Sequence, residues 1–352
     1  MINLQPTAAS ARGGADSILR RLGPGIALAI TVAIAATLAA PLVATVFPIP
    51  AMVIALLMGI ALNGVASQKA FEPGLAWCVK KLLRIAIGLL GIRIALGDIV
   101  DLGLGVALLV VLAMVLTVAA GFWLARFFQL DTGYGALAGA ATAVCGASAT
   151  LATATVVPNY SQKGADVTFT VVAANAVSTI VMVVYPSLCV LLGLDVRTTG
   201  IMLGATIHDM AQVVGAGYAV SEPVGNTAVI VKLFRVFLLL PMVLGIGWWF
   251  VRQRGEAGEA KVPIPVFALV FLALCVVNSI AAGVPGLAPV YGPIKSALVT
   301  GSNWGLLVAI AALGLGTSLT AILRIGWRHI AVFTGTTLVV LSVVTAGLLV
   351  LP

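Results

Sequence analysis

The chain alternates apolar stretches of about 20 residues with short polar segments. A stretch of this length crosses the hydrocarbon core of a bilayer when it is helical. We place eleven predicted spans near residues 25–47, 49–66, 75–96, 102–125, 133–157, 164–192, 199–220, 226–250, 263–283, 303–323 and 328–351. The pattern predicts an all-α polytopic membrane protein, with a cytoplasmic tail over residues 1–23 and a single transmembrane domain over 24–352.

Composition agrees with this fold class and excludes several functions. Apolar residues make up 61% of the chain and charged residues only 9%, whereas soluble proteins carry about 25% charged residues. The net charge of +8 is scattered between the spans without interleaved aromatic residues, so no nucleic-acid partner is expected. There is no phosphate-binding glycine loop, zinc-type histidine pair or nucleophile elbow. We therefore expect no enzyme activity, no cofactor and no metal.

The distribution of Lys and Arg predicts an orientation in a bacterial inner membrane. Cytoplasmic segments of membrane proteins are enriched in these residues. With the N-terminus inside and the C-terminus outside, the inner segments hold Arg12, Arg20, Arg21, Lys69, Lys80, Lys81, Arg126, Arg197, Arg252, Arg254, Lys261, Arg324 and Arg328. The outer segments hold Arg93, Lys163 and Lys295.

The spans also suggest an internal repeat. Without the first span, two blocks of five remain, over about 49–193 and 198–352. Because five is odd, the second block inserts upside down, which is the inverted repeat of many secondary transporters. A Lys-x-x-Arg pair occupies the second span of each block, at 81–84 and at 232–235. A cation in an apolar run is expensive, so the pairs favour duplication over chance.

The fourth span of each block, span 5 and span 10, contains a cluster of small residues. We predict that both helices are discontinuous there, because a free helix N-terminus carries partial positive charge and suits an anion. The alternative is that small residues merely allow close helix packing. The predicted substrate-binding residues are Cys145, Gly146, Ala147, Ser148, Lys232, Arg235, Gly314, Gly316, Thr317 and Ser318.

Two interpretations are open for the buried cations Lys232 and Arg235. The forked donors of Arg suit planar oxyanions such as carboxylate, sulfonate or sulfate. Alternatively, each Arg holds the backbone carbonyls of a broken helix. Snorkelling explains Lys80 and Lys81 near the inner end of span 3, whereas Arg84 and Arg235 are harder to attribute to it.

Span 7 carries three residues that we predict to couple an ion or a proton: His208, Asp209 and Gln212. On a helix, His208 and Gln212 share a face. His208 has an unperturbed pKa of about 6.5, so it suits proton coupling or pH sensing, or it is a satisfied interior histidine. An Asp near mid-span is costly without a cation or a cavity. Asp209 is therefore a proton carrier, a cation ligand, or the counter-ion of Lys232 or Arg235.

Four stretches resemble a known bacterial family. Residues 143–149 (AVCGASA), 204–217 (GATIHDMAQVVGAG), 232–235 (KLFR) and 311–317 (AALGLGT) are similar to the sulfate exporter family of YeiH-type membrane proteins. The resemblance covers the chain from about Pro24 to its end. It implies export of sulfate or small sulfonate-like anions. It also implies kinship with sodium/proton antiporters and bile-acid symporters, where two unwound helices cross near the bilayer centre; by that analogy spans 5 and 10 would cross.

The favoured hypothesis is a secondary active transporter, an exporter that moves a small anion such as sulfate or a sulfonate by alternating access. The partners expected are the anion, a coupling proton or sodium ion, and the lipid bilayer; a homodimer is compatible with the sequence. The first alternative is a cation/proton antiporter, suggested by Asp209. The second is an anion channel, and a non-transporting membrane scaffold is the third.

Overall fold

A computed structural model describes residues 9–43, 51–254, 266–282, 284, 288–317 and 326–350, with side chains from residue 20 onward except at 254, 282 and 288. Helices account for nearly all of these residues. We number them α1 Ala9–Val43, α2 Ala51–Ala61, α3 Asn63–Ala66, α4 Glu72–Trp77, α5 Leu83–Leu90, α6 Leu96–Val100, α7 Gly103–Phe127, α8 Thr132–Ala143, α9 Ala147–Val156, α10 Lys163–Leu191, α11 Val196–Thr206, α12 Met210–Val220, α13 Glu222–Phe237, α14 Leu239–Arg254, α15 Val266–Ala282, α16 Ala288–Gly316 and α17 Trp327–Val350.

Six stretches of helix in the described part of the chain are long and apolar enough to cross a membrane. They lie at Arg20–Val43, Gly103–Phe127, Lys163–Leu191, Glu222–Gln253, Pro289–Gly316 and Trp327–Val350. Shorter apolar helices accompany them, among them α9 and α12. The predicted all-helical membrane architecture is confirmed, whereas a uniform series of eleven single spans is not what the helix lengths show.

The described residues form two compact units. The first comprises those up to Ala86 together with 301–317, and the second comprises 87–300 together with 326–350. In the first unit, α1, α2, α4 and the end of α16 share a core of small and aliphatic side chains. A Cβ added at Gly314 would meet the backbone of Leu56 and Gly59 on α2. Gly314 therefore serves close helix packing.

The two Lys-x-x-Arg pairs lie in unlike surroundings. Lys81 and Arg84 of the first unit have exposed side chains. Lys232 and Arg235 of the second unit are 0% and 1% exposed. The sequence similarity of the two pairs is therefore not matched by equivalent environments, and only the second pair bears the cost of burying charge.

In the second unit, α8 and α9 form a hairpin whose two ends lie together; we call it hairpin 1. A Cβ added at Gly133, at the start of α8, would meet the side chains of Val157 and Tyr160, just after α9. The Lys163 ammonium also donates to the Val157 carbonyl (2.7 Å), so α10 begins beside the same end. The chain thus enters and leaves hairpin 1 on one side.

The helices α11 and α12 form a second hairpin, hairpin 2, in the same way. Gly200 near the start of α11 packs on Thr227, and Gly217 near the end of α12 packs on Gly225. Both contacts involve the first two turns of α13, so the two ends of hairpin 2 lie together. Arg197 at the base of α11 donates to the Asp101 carbonyl (2.9 Å), which places that base beside the start of α7.

The two hairpins enter the second unit from opposite ends. Hairpin 1 follows directly on the end of α7, and hairpin 2 has its base at the start of α7. The 25 residues of α7 span roughly 38 Å at 1.5 Å per residue. The arms α8 and α11, of 12 and 11 residues, reach roughly 18 Å and 16 Å. The two tips therefore meet near the middle of α7.

The predicted spans 5 and 7 need correction, because each is a folded-back pair of half-length helices. Arms this short do not cross the roughly 30 Å hydrocarbon core. Span 7 was predicted as one continuous helix, which is wrong. In span 10, α16 runs unbroken through Gly314 and ends at Gly316, and Ser318 lies outside the described residues. Within the second unit, the helix break of span 5 lies beside the helix break of span 7.

Labelling of introduced cysteines tests the folded-back hairpin 1. We expect Cys at Arg126 (end of α7) and Cys at Asn159 (after α9) to react with a membrane-impermeant maleimide from the same side, and Cys at Asp195 to react from the other. All three native positions are exposed or at loop ends, whereas the four native cysteines are buried. Labelling of R126C and N159C from opposite sides would show that residues 133–157 cross as one span.

Candidate functional site

The tip of hairpin 1 is a break between two helices at Val144, Cys145 and Gly146. The amide of Gly146 donates to Ala141 O (2.9 Å), which closes the last turn of α8. Gly146 has φ +60° and ψ −120°, a conformation essentially confined to glycine. The predicted discontinuity in span 5 is confirmed at the predicted residues.

The tip of hairpin 2 is the break at Ile207, His208 and Asp209. Asp209 is the N-cap of α12, and its Oδ1 accepts a hydrogen bond from Ala211 N (2.9 Å). Because His208 lies in the break and Gln212 in the first turn of α12, the two do not share a helical face as predicted. The cap residue explains why the chain breaks here, since Asp favours N-caps over helix interiors.

Lys232 on α13 joins the two tips. Its ammonium donates to three carbonyl oxygens: Val144 O (2.5 Å) of hairpin 1, and Ile207 O (2.8 Å) and His208 O (2.5 Å) of hairpin 2. An ammonium group has three donors, so all of them are occupied. A direct ion pair with Asp209 is consequently not made in the described structure.

Arg235, one turn further along α13, makes the same kind of contact. Its Nε donates to Ala143 O (2.9 Å) and its Nη2 to Thr142 O (2.7 Å). Its Nη1 donates to Gly204 O (3.0 Å) and Ile207 O (3.1 Å). The guanidinium thus binds the last turn of α8 and the last turn of α11 at once.

These contacts satisfy the carbonyl ends of two helices with two cations. A helix C-terminus carries roughly half a negative charge, on carbonyls that lack intrahelical partners. The alternative that the arginine holds the carbonyls of a broken helix is the arrangement observed. That Lys232 and Arg235 supply charge to a substrate stays a prediction, since all three donors of Lys232 and four of the five donors of Arg235 already bind backbone carbonyls.

His208 is completely buried and bonded to another helix. Its Nε2 lies 3.0 Å from Thr337 Oγ1 of α17, whose hydroxyl donates to Phe333 O (2.9 Å). The hydroxyl proton is used in that bond, so His208 Nε2 is the donor toward Thr337 Oγ1. The ring thereby fastens the tip of hairpin 2 to α17, whereas its Nδ1 is buried without a hydrogen-bond partner among the described residues, so both interpretations of His208 stay open.

The polar face of α10 lies against the tip of hairpin 2. Ser178 Oγ accepts from the backbone amide of Asp209 (3.0 Å). The side-chain amide of Gln212 donates to Asn175 Oδ1 (3.2 Å) and contacts Thr179 Oγ1 (3.4 Å). Asp209 and Gln212, two of the three coupling residues predicted in span 7, thus contact oxygen atoms of α10.

The N-terminus of α9 differs from that of α12. No side chain caps it, and the first intrahelical bond runs from Thr150 N to Gly146 O (3.0 Å). The amides of Ala147 and Ser148 precede that bond, and Ser148 is exposed. At hairpin 2 a carboxylate occupies the corresponding position, whereas at hairpin 1 the positive end of the helix is open.

Nine of the thirteen predicted site residues gather around these two tips: Cys145, Gly146, Ala147, Ser148, His208, Asp209, Gln212, Lys232 and Arg235. Gly314, Gly316 and Thr317 lie in the other unit, where Thr317 Oγ1 bonds Leu313 O (2.7 Å). Ser318 is outside the described residues. The grouping brings the substrate-binding and the coupling predictions into one site.

A polar network at the base of hairpin 1 was missed by the sequence analysis. Asp166, 5% exposed, accepts from Tyr160 Oη (2.9 Å) and pairs with His329 Nε2 (3.1 Å). Tyr134 donates to the His329 carbonyl (2.7 Å). The network ties α8, α10 and α17 together. No local motif marks these residues, because they lie far apart in the chain.

A sequence signal for the hairpins does exist. Asp131 and Asp195 each follow a leucine and cap the first arm of their hairpin. Eleven residues later stand Thr142 and Thr206, each bonded to the carbonyl four residues before it. Matching caps, and matching threonines in the last turn before each tip, mark the two arms as similar elements.

Apolar helices around a largely buried polar centre define a multi-pass membrane protein. Comparison with known proteins identifies its family: residues 24–333 match the model of the family described as conserved hypothetical protein 698. The chain belongs to this family, which confirms the resemblance noted from the sequence. No solved structure matches the chain, so the relation to the antiporter fold is not shown.

Curated relatives are membrane proteins. The chain is 40% identical over 304 residues to the UPF0324 membrane protein TauZ of Paracoccus pantotrophus, covering 85% of this chain and 88% of the relative. It is 39% identical over 334 residues to the UPF0324 membrane protein RB0971 of Rhizobium meliloti, covering 94% of each chain. It is 33% identical over 288 residues to the UPF0324 inner membrane protein YeiH of Escherichia coli, covering 78% of each chain.

Proposed function

We propose that the protein is a secondary active transporter that exports a small anion, such as sulfate or a sulfonate, by alternating access. The observation that carries the proposal is the uncapped N-terminus of α9 beside two buried cations. An oxyanion there would accept hydrogen bonds from the amides of Ala147 and Ser148 and from the Ser148 hydroxyl. It would occupy at hairpin 1 the place that Asp209 occupies at hairpin 2.

The charges around the tips support an anion rather than a neutral substrate. Lys232 and Arg235 contribute two positive charges and Asp209 one negative charge. The partial charges of the four helix ends that meet at the tips cancel, because two are N-termini and two are C-termini. An excess of one positive charge remains, which attracts an anion into an otherwise apolar interior.

The two hairpins support alternating access. A non-helical backbone is tolerated at membrane depth only where it is buried in protein or lines a cavity, and broken helices of this kind bind substrates in many transporters. Since the hairpins enter from opposite ends, movement of either one would open the site toward one side only. We propose this as the way in which the anion reaches the site from each side in turn.

The orientation proposed from the sequence also holds with the hairpins in place. If neither hairpin crosses, nine crossings remain of the eleven predicted, which is again an odd number. Lys163 then moves to the inner side and Arg197 to the outer side, so the totals stay at thirteen inside and three outside. We propose an inner-membrane protein with its N-terminus in the cytoplasm and its C-terminus outside.

Flux measurements in proteoliposomes test the transport proposal. We expect saturable, gradient-driven uptake of labelled sulfate or of a two-carbon sulfonate by the purified full-length protein. Ser148→Ala should raise the KM about tenfold or more, because a hydrogen bond to a charged group is worth about 1.5–3 kcal/mol. Ser67→Ala is the matched control, since Ser67 is an exposed residue bonded locally to Gly64 O (2.9 Å).

Three results would contradict this proposal. Flux that never saturates would indicate a channel. An unchanged KM in S148A would show that the anion does not bind at the N-terminus of α9. Sodium-dependent proton movement without any anion requirement would support the cation/proton antiporter, which the oxygen-rich surroundings of Asp209 favour as the second candidate.

A further inference from the structure

The side-chain oxygen of Gln212 is buried without a hydrogen-bond donor. Gln212 is 0% exposed, and its Oε1 has no partner among the described residues. Its Nε2 faces Asn175 Oδ1 and Thr179 Oγ1 on α10, so Oε1 points away from those two acceptors. A buried polar atom left in this way destabilises the fold, and a bound ligand would remove that cost.

The reason for the missing partner lies in the helix cap. Gln212 is the third residue of α12, after the N-cap Asp209, which is the spacing of a capping box. In that motif the glutamine would accept the backbone amide of the cap residue. Here Ser178 Oγ has taken that amide (3.0 Å). Gln212, three residues after Asp209, is thus left with its Oε1 lacking the usual donor.

Asp209 brings a negative charge to the same place. Its Oδ1 accepts one backbone amide, and no described hydrogen bond engages its Oδ2. Lys232 does not neutralise it by direct contact, because the three donors of Lys232 are all bound to carbonyls. A half-buried carboxylate without a bonded cation, beside an unpartnered amide oxygen, is the chemistry of a cation ligand set.

Three side-chain oxygens of α10 contact Asp209 and Gln212: Ser178 Oγ accepts the Asp209 amide, and Asn175 Oδ1 and Thr179 Oγ1 face the Gln212 side-chain amide. Amide, hydroxyl and carboxylate oxygens are the ligands that hard cations prefer. A single carboxylate balances a single positive charge, so the set suits a small monovalent cation better than a divalent one.

We infer that Asp209 and Gln212, supported by Asn175, Ser178 and Thr179, bind a sodium ion, and that this ion binds together with the substrate anion. The role of the ion rests on the proposed transport function, although its binding does not. The excess of one positive charge at the tips is balanced by a monoanion alone. A dianion such as sulfate leaves one negative charge, and the sodium ion compensates it.

Thermal unfolding of the purified full-length protein tests the binding of the ion. We expect NaCl to raise the unfolding temperature in a saturable way, and choline chloride or KCl at equal ionic strength to have a smaller effect, because a ligand that binds the native state stabilises it. Asp209→Asn and Gln212→Leu should weaken the apparent sodium affinity by at least about tenfold. Asn still caps a helix, so D209N is expected to fold.

Asp195→Asn is the matched control, because Asp195 is the exposed N-cap of the other arm of the same hairpin. Sodium stabilisation that survives in both D209N and Q212L, or that choline and potassium reproduce, would overturn the inference. Stabilisation that depends on pH and not on sodium would also overturn the inference, because it would show that Asp209 binds a proton instead of sodium.

Binding of labelled sulfate with and without sodium separates this inference from the proposed function. If sulfate binds and S148A weakens it, but sodium changes nothing, the sodium site is wrong and the anion site stands. If sodium binds and no anion does, the anion transporter is wrong and the cation site stands. If both are right, each ligand raises the affinity of the other by the same factor.

Discussion

Replacing Arg235 with alanine is expected to abolish the folded protein or to lower its free energy of unfolding by about 3–5 kcal/mol. The side chain donates to carbonyls of both α8 and α11 at a site that is 1% exposed. Removing it leaves buried carbonyls without donors, and breaking a buried charged contact of this kind carries a cost of that size. The yield of monodisperse protein and its thermal unfolding measure the effect.

The chain supplies its own control in the other Lys-x-x-Arg pair. Arg84 is exposed, and surface substitutions usually change stability by no more than about 0.5 kcal/mol. R84A should therefore behave like the unaltered protein. Arg235→Lys should fall between the two, because a lysine is a point charge and cannot span four carbonyls. Equal effects of R84A and R235A would refute the bridging role of Arg235.

This contrast shows what the sequence determines and what it does not. Both pairs precede an apolar run, so local hydrophobicity alone predicts similar positions for them. Their burial depends on which helices pack against them, and that depends on residues far along the chain. The carbonyls that bind Arg235 lie about 30 and 90 residues away, and no pattern near residues 232–235 records them.

The small-residue cluster of span 5 was informative because its chemistry is local. Gly146 needs a backbone conformation that other residues rarely adopt, and the prediction of a break there is confirmed. For Gly314 the same composition has a different meaning. That glycine lets α16 approach α2, which is the close-packing alternative. A glycine in an apolar run does not reveal which of these two uses it has.

The fold-back of the hairpins could not be read from span length. Residues 133–157 contain enough apolar positions for one crossing, and the same count fits two half-length arms. The information lies in the caps: Asp131 and Asp195 begin the first arms, and Asp209 begins the second arm of hairpin 2. An aspartate in the middle of a predicted span is better explained as a helix start than as an interior residue.

The positions of the coupling residues follow from that helix start. Asp209 caps α12 while its backbone amide donates to Ser178 of α10, and Gln212 follows it by the capping-box spacing. His208 is turned to Thr337 instead. The prediction that grouped these three residues was right about their proximity and wrong about a shared helical face, since the periodicity used assumed an unbroken helix.

Gly146→Ala is expected to destabilise the protein by about 1–3 kcal/mol and to reduce anion flux strongly. The cost is conformational, because φ +60° with ψ −120° is unfavourable for any residue with a Cβ. Space is not the limitation, since the nearest atom to an added Cβ is Ala174 Cβ at 3.5 Å. Relief of the strain would rotate the peptide that joins α8 to α9, and with it the amides proposed to bind the anion.

Gly245→Ala is the matched control for this substitution. Gly245 lies inside α14 with nothing within 4 Å of an added Cβ, so alanine there should be neutral or stabilising by up to about 1 kcal/mol. Thermal unfolding and sulfate flux are measured for both variants in the same membranes. If G146A has the same unfolding temperature and the same sulfate flux as G245A, the positive φ at the tip of hairpin 1 is not needed for stability or transport. Loss of flux in G146A at a temperature where the protein remains folded would place the effect in the geometry of the tip itself.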